Sequence, residues 1–236
     1  MTAPTLHYIH DPLCGWCYGA APLVRVARSM MTVQPHAGGM MTGSARRQIS
    51  PSWRQFVLPH DRRIAQVSGQ PFGEAYTDGL LNDTTVMLDS GPPITAVLAA
   101  QALAGADAGL DMLSRIQQAH YVEGRRIADR ATLSELAAAI GLDTDAFNAR
   151  FDELEGAATQ AHIAESLSLL SRVGGGGFPT FVLEQAGKLT VLEMGAYLGQ
   201  PEAWQARLAQ VPGTGPREQA TTDINPPFCG IDGCTP

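Results

Sequence analysis

The chain has 236 residues, of which 44% are hydrophobic and 17% charged, and a net charge of -7. That suffices for a substantial core, in one domain with an insertion or in two small domains. The acidic balance and the scattered pairs Arg46-Arg47, Arg62-Arg63 and Arg125-Arg126 argue against nucleic acid as a partner, which needs clustered basic residues.

Four cysteines are too few for a disulfide-stapled scaffold. The first residues, Met-Thr-Ala-Pro-Thr, have neither a basic nor a long apolar segment. No run approaches the ~18 apolar residues of a membrane span. A cytoplasmic protein with no membrane contact is expected. In that reducing compartment, paired cysteines are catalytic, redox-sensing or metal-binding rather than structural.

Residues 5–10 read as a buried strand. A helix-period pattern follows over 14–31, and Pro22 should kink it about a turn beyond Cys17. A second strand is expected near 33–38, ending at Gly38-Gly39. From 51 to 173 the signals are almost all helical. Pro92 and Pro93 can open one helix, because a missing N–H costs little there. Thr132 and Glu135 have the spacing of a capping box, Gly141 reads as a helix stop, and Asp143 can start the next helix. Gly174 to Gly177 break the pattern. Residues 180–184 and 188–192 then alternate like strands, and Gln185-Ala186-Gly187 joins them as a hairpin. Residues 201–210 form a last amphipathic helix with Trp204 and Leu208 on one side. The tail from Pro212 is poor in apolar residues yet ends in Cys229-Gly230-Ile231-Asp232-Gly233-Cys234.

The chemistry concentrates at Cys14-Gly15-Trp16-Cys17. A strand that turns into a helix at Cys-x-x-Cys is a redox signature. The helix start offers unpaired N–H groups that stabilise a thiolate, which makes Cys14 the expected nucleophile. Cys17, one turn on, can attack a mixed disulfide at Cys14 and release the partner. His10 ends the strand that faces this loop, and Asp11 either caps the loop or moves a proton for Cys17. Cys229 and Cys234 are either a spectator pair or an auxiliary redox pair that exchanges with Cys14 and Cys17. Together the four thiolates could instead hold a tetrahedral zinc in a non-enzymatic binding or sensing module. The redox reading requires no metal and no cofactor.

In Asp-Pro-x-Cys-x-Trp-Cys (11–17), Gly-Gly-Met (38–40), Gln-Ala-His-Tyr (118–121) and Gly-Phe-Pro-Thr (177–180), the chain resembles the DsbA-like branch of the thioredoxin superfamily. The likeness is strongest to its cytosolic protein-disulfide isomerases and spans about 5–210. It implies an α/β, thioredoxin-like fold with a large all-helical inserted domain. Residues 1–50 would form the first half of the thioredoxin-like domain, 51–173 the insertion, 174–211 the second half and 212–236 a tail. The resemblance makes Pro179 a cis-proline beside the cysteines. Phe178 would then offer its backbone to an extended substrate, and Trp16, Phe178 and Pro179 would line the binding site.

The implied activity is thiol–disulfide exchange on protein or small-molecule thiols and disulfides, with glutathione a candidate among them. Gly15-Trp16 is neither the Pro-His of strongly oxidising relatives nor the Gly-Pro of thioredoxins. A glutathione-dependent isomerase or kappa-class-like transferase is the enzymatic alternative, but those enzymes carry serine where this chain has Cys14.

Overall fold

The computed structural model describes residues 3–217, so Cys229 and Cys234 lie outside the described residues. A four-stranded sheet has the order β2-β1-β5-β6, with β1 Thr5–His10, β2 Thr32–Ala37, β5 Thr180–Gln185 and β6 Lys188–Leu192. β2 runs parallel to β1, whereas β5 is antiparallel to β1, with Ile9 opposite Thr180 and Tyr8 opposite Phe181. That register brings Phe178-Pro179 beside the end of β1, where the cysteine loop begins. The N–H of Gly38 bonds the His10 carbonyl at 2.8 Å and places the β2 turn at the same end.

Between β2 and β5 lie α3 Pro51–Ser68, α4 Gly91–Tyr121, α5 Arg130–Ala139, α6 Thr144–Leu154 and α7 Ala157–Arg172. The fold is the thioredoxin-like sheet with a helical insertion. One short ribbon was not legible in the sequence: β3 Arg47–Gln48 pairs with β4 Met87–Leu88. α8 Pro201–Leu208 closes the chain against the sheet. Its Trp204 is fully buried, packs on Phe181, and donates its indole N–H to the Leu23 carbonyl at 3.1 Å.

Local sequence explains most boundaries. The helix expected over 14–31 is two helices, α1 Gly15–Gly19 and α2 Ala21–Arg28, which meet at Ala20. Pro22 sits in the first turn of α2, where its missing N–H is harmless, so the proline opens a second helix rather than bending one. Gly141 has φ +81° and ends α5, and the Asp143 carboxylate accepts the Ala146 N–H at 2.8 Å to start α6. The capping box at Thr132 does not form. α5 starts three residues earlier, after Asp129, because Arg130 is already anchored on α6 by Asn148 and the Phe151 ring. β5 and β6 are joined by Ala186 and Gly187, both at positive φ (+49° and +76°), as a two-residue hairpin turn with right-handed twist requires.

α4 is long and apolar enough, by length and composition, to cross a bilayer. Ala104 and Gly105 leave helical geometry and divide it into two runs, and half of its most apolar window is buried inside the protein.

Candidate active site

The site forms where β1 ends. Asp11 is fully buried and organises the loop. One carboxylate oxygen accepts the Leu13 N–H and the Ser90 hydroxyl, each at 2.9 Å, and the other accepts the Met40 N–H at 2.6 Å. Its carbonyl accepts the Cys14 N–H at 3.1 Å. Burial pushes the Asp11 carboxyl up to about 6, against these hydrogen bonds, which favour the charged form. Of the two roles the sequence left open for Asp11, these hydrogen bonds are those of a cap, and its charge also pushes the Cys17 thiol up.

Cys14 is the N-cap of α1: its sulfur accepts the Cys17 N–H at 3.3 Å. On its other side the thiol points at the Phe178 carbonyl, 3.6 Å away. The Phe178-Pro179 bond is cis, as the resemblance implied. Cys17 has no exposure, and burial pushes its thiol well up, with the neighbouring Cys14 acting in the same direction. Both cysteines are free thiols. Trp16 is half-buried and packs on the core edge, and Phe178 and Pro179 are half-buried. The Phe178 ring points its tip at Gly38: a Cβ there would stand 2.0 Å from it, so a larger residue would have to displace the ring. The structure thus brings together Cys14, Cys17, Trp16, Phe178 and Pro179.

His10 does not present a working ring nitrogen to the cysteines. It is fully buried, stacks on Tyr8 at 4.9 Å, and neither ring nitrogen has a partner among the described residues. Burial holds it down to about 3, so it is a neutral core histidine.

The inserted helices supply a second wall that the sequence did not announce. Gly15 and Gly19, four apart on α1, admit the Ile64 side chain of α3. A Cβ on either would come within 2.9 Å of it. This close approach carries Asp61, one turn before Ile64, onto Gly15. Asp61 Oδ2 accepts the Tyr76 hydroxyl at 3.0 Å, and burial raises its carboxyl to about 6. Tyr121 stacks on Tyr18 at 4.8 Å and meets Tyr76 edge-on at 5.4 Å. The glycine pair at i, i+4 was the signal for this packing, but nothing in the sequence identified α3 as the partner. Among the described residues no group of three or more His, Cys, Asp or Glu side chains is placed to hold a metal ion.

A scan against protein-family models finds no match, and a search of curated proteins finds none either. Solved structures do match. The cytosolic disulfide reductase DsbM from Pseudomonas aeruginosa superposes with a TM-score of 0.81 and 54% identity, over 87% of this chain and 97% of that one. The same protein solved with GSH gives 0.80 and 52% over the same shares. A 2-hydroxychromene-2-carboxylate isomerase matches at 0.54 and 15%, over 87% and 96%, a likeness of fold alone. With the reductase match at 54% identity over 87% of its length, the chain belongs to the DsbA-like thiol–disulfide oxidoreductases.

Proposed function

We propose that the protein is a cytoplasmic disulfide reductase that works through Cys14 and Cys17 and is recharged by glutathione. The observation that carries this reading is the environment of Cys14. Its sulfur caps a helix start through the Cys17 N–H, and it faces the strand-entry carbonyl of Phe178. A thiolate is stabilised by such an N–H and reaches an extended substrate laid along Phe178-Pro179.

The steps balance. Cys14 thiolate attacks one sulfur of a substrate disulfide, the S–S bond breaks, and the first substrate thiolate leaves and takes a proton from water. Cys17 loses its proton and attacks Cys14 Sγ, which expels the second substrate thiolate and leaves a Cys14–Cys17 disulfide. Two glutathione thiols then reduce that disulfide and depart as oxidised glutathione. Burial that keeps Cys17 protonated suits a resolving thiol, which should be silent until the mixed disulfide forms beside it. The cytosolic setting and the glutathione partner are supported by the reductase from Pseudomonas aeruginosa, described as cytosolic and solved with GSH. Trp16, Phe178 and Pro179 form the substrate wall.

The test is a pair of variants. Cys14→Ser should reduce turnover of a model peptide disulfide to background. Cys17→Ala should accumulate a mixed disulfide with glutathione on Cys14, seen as a mass increase on the intact protein. Turnover that survives Cys14→Ser with glutathione present would overturn the reading in favour of an isomerase-type reaction.

A further inference from the structure

Asp61 has no part in the exchange just described, yet the insertion holds it against the first residue after the nucleophile. A Cβ built on Gly15 would lie 3.4 Å from Asp61 Oδ1. Oδ2 is held by Tyr76, whereas Oδ1 makes no hydrogen bond among the described residues and faces Gly15. Burial pushes the Tyr121 hydroxyl well up, and negative charge on Tyr76, Cys14, Asp61 and Cys17 pushes it the same way.

The groups that face Asp61 are few. From Ala75–Gly79 comes Tyr76, from the end of α4 Tyr121, from the cysteine loop Gly15, the residue next to Cys14, and from its own helix His60. Among the described residues Asp61 forms no salt bridge with Arg or Lys. With a carboxyl at about 6 it is mainly ionised at neutral pH, in a pocket where a charge acts more strongly than in water.

From this geometry we infer that Asp61 is a positioning charge for the redox pair: its carboxylate repels the Cys14 thiolate, disfavours the reduced enzyme, and makes the centre a stronger reductant. The inference rests on Cys14 and Cys17 forming the exchanging pair. The relevant equilibrium is reduced enzyme plus oxidised glutathione giving the Cys14–Cys17 disulfide plus two glutathione thiols. Two electrons pass from the enzyme to glutathione, with one proton from Cys17 and, when Cys14 is a thiolate, one from solvent. Anything that raises the energy of the Cys14 thiolate drives it to the right.

The experiment measures that equilibrium constant for the full chain in a glutathione series at pH 8 and at pH 5. Asp61→Asn should lower it about tenfold at pH 8, which is about 30 mV towards a more oxidising pair. At pH 5, where the carboxyl is mainly protonated, the variant and the parent should agree within twofold. Asp61→Glu, which keeps the charge, should stay close to the parent at both pH values. If Asp61→Asn does not fold, Asp61→Ser takes its place with the same expectation.

Three results would overturn the inference: a constant unchanged within twofold at pH 8, a shift of equal size with Asp61→Glu, or a shift undiminished at pH 5. If the parent itself forms no Cys14–Cys17 disulfide with glutathione, the underlying reading has failed instead.

Discussion

Two carboxyls, Asp11 and Asp61, flank the cysteine loop, and burial raises both to about 6. Their surroundings differ. Asp11 belongs to the loop itself, and its two oxygens accept three donors from three segments: the loop, the β2 turn and the start of α4. Asp61 arrives from the insertion and has one phenolic partner, with its other oxygen turned to Gly15. The comparison teaches that a perturbed acid near a reactive sulfur does not by itself disclose a role. Saturated bonding marks a residue that holds the loop, whereas Asp61 keeps one oxygen free of hydrogen bonds among the described residues.

The sharpest way to break this comparison is to delete each carboxylate. Asp11→Ala orphans the N–H groups of Leu13 and Met40 and the Ser90 hydroxyl. It should cost about 3 kcal/mol in urea unfolding, since each buried donor left bare costs about 1–3 kcal/mol and relief of the carboxylate's own burial returns part of it. An Asp61→Ala variant that lost as much stability would erase the distinction.

A smaller effect is expected in the pH dependence of Asp61→Asn. The folded carboxyl lies near 6 and the unfolded one near the ordinary value of 3.8, so ionisation opposes folding. The contribution of the acid to stability is complete below about pH 4 and is lost as pH rises through 6. Asp61→Asn should therefore gain about 2 kcal/mol on the parent between pH 4 and pH 8, at 1.36 kcal/mol per unit shifted and allowing for relaxation. Paired urea titrations at the two pH values would show it. A flat difference would mean that Asp61 carries no buried charge.

The smallest change is a control far from both acids. Ala186 holds φ +49°, a strained region for any residue with a Cβ, at the first position of the hairpin turn. Ala186→Asn creates the Asn-Gly pair that this turn favours and should add about 0.5–1 kcal/mol to stability. The glutathione equilibrium should stay where it was. If it moved, stability alone would shift the redox pair, and the case for Asp61 would weaken.

How much could be read from the sequence follows the range of the forces involved. The redox helix start, the Gly141 stop and the β5–β6 hairpin are set by residues a few positions apart, and all were legible; Pro22 was read as a kink within one helix, where it opens a second. The cis-proline came through the resemblance carried by Gly-Phe-Pro-Thr. The Thr132 box failed because a long-range anchor, Arg130 on Phe151, outweighed a local cap. His10 looked like a candidate from its place at the strand end, but burial makes it core. Asp61 was invisible: 46 positions separate it from Gly15, and only the docking of α3 on two glycines joins them.

That docking has a consequence for protein engineering. In a thioredoxin-type centre, the dipeptide between the cysteines is the natural place to swap residues when redox behaviour is to be altered. Here its first position cannot accept a side chain without meeting Ile64 and, one turn away, Asp61. Replacing Gly15 would force the Ile64 side chain to give way and set the new side chain against the acid. A dipeptide transplant into this scaffold would thus report the new residue and the altered wall at once, and it is best read beside a matched change at Asp61.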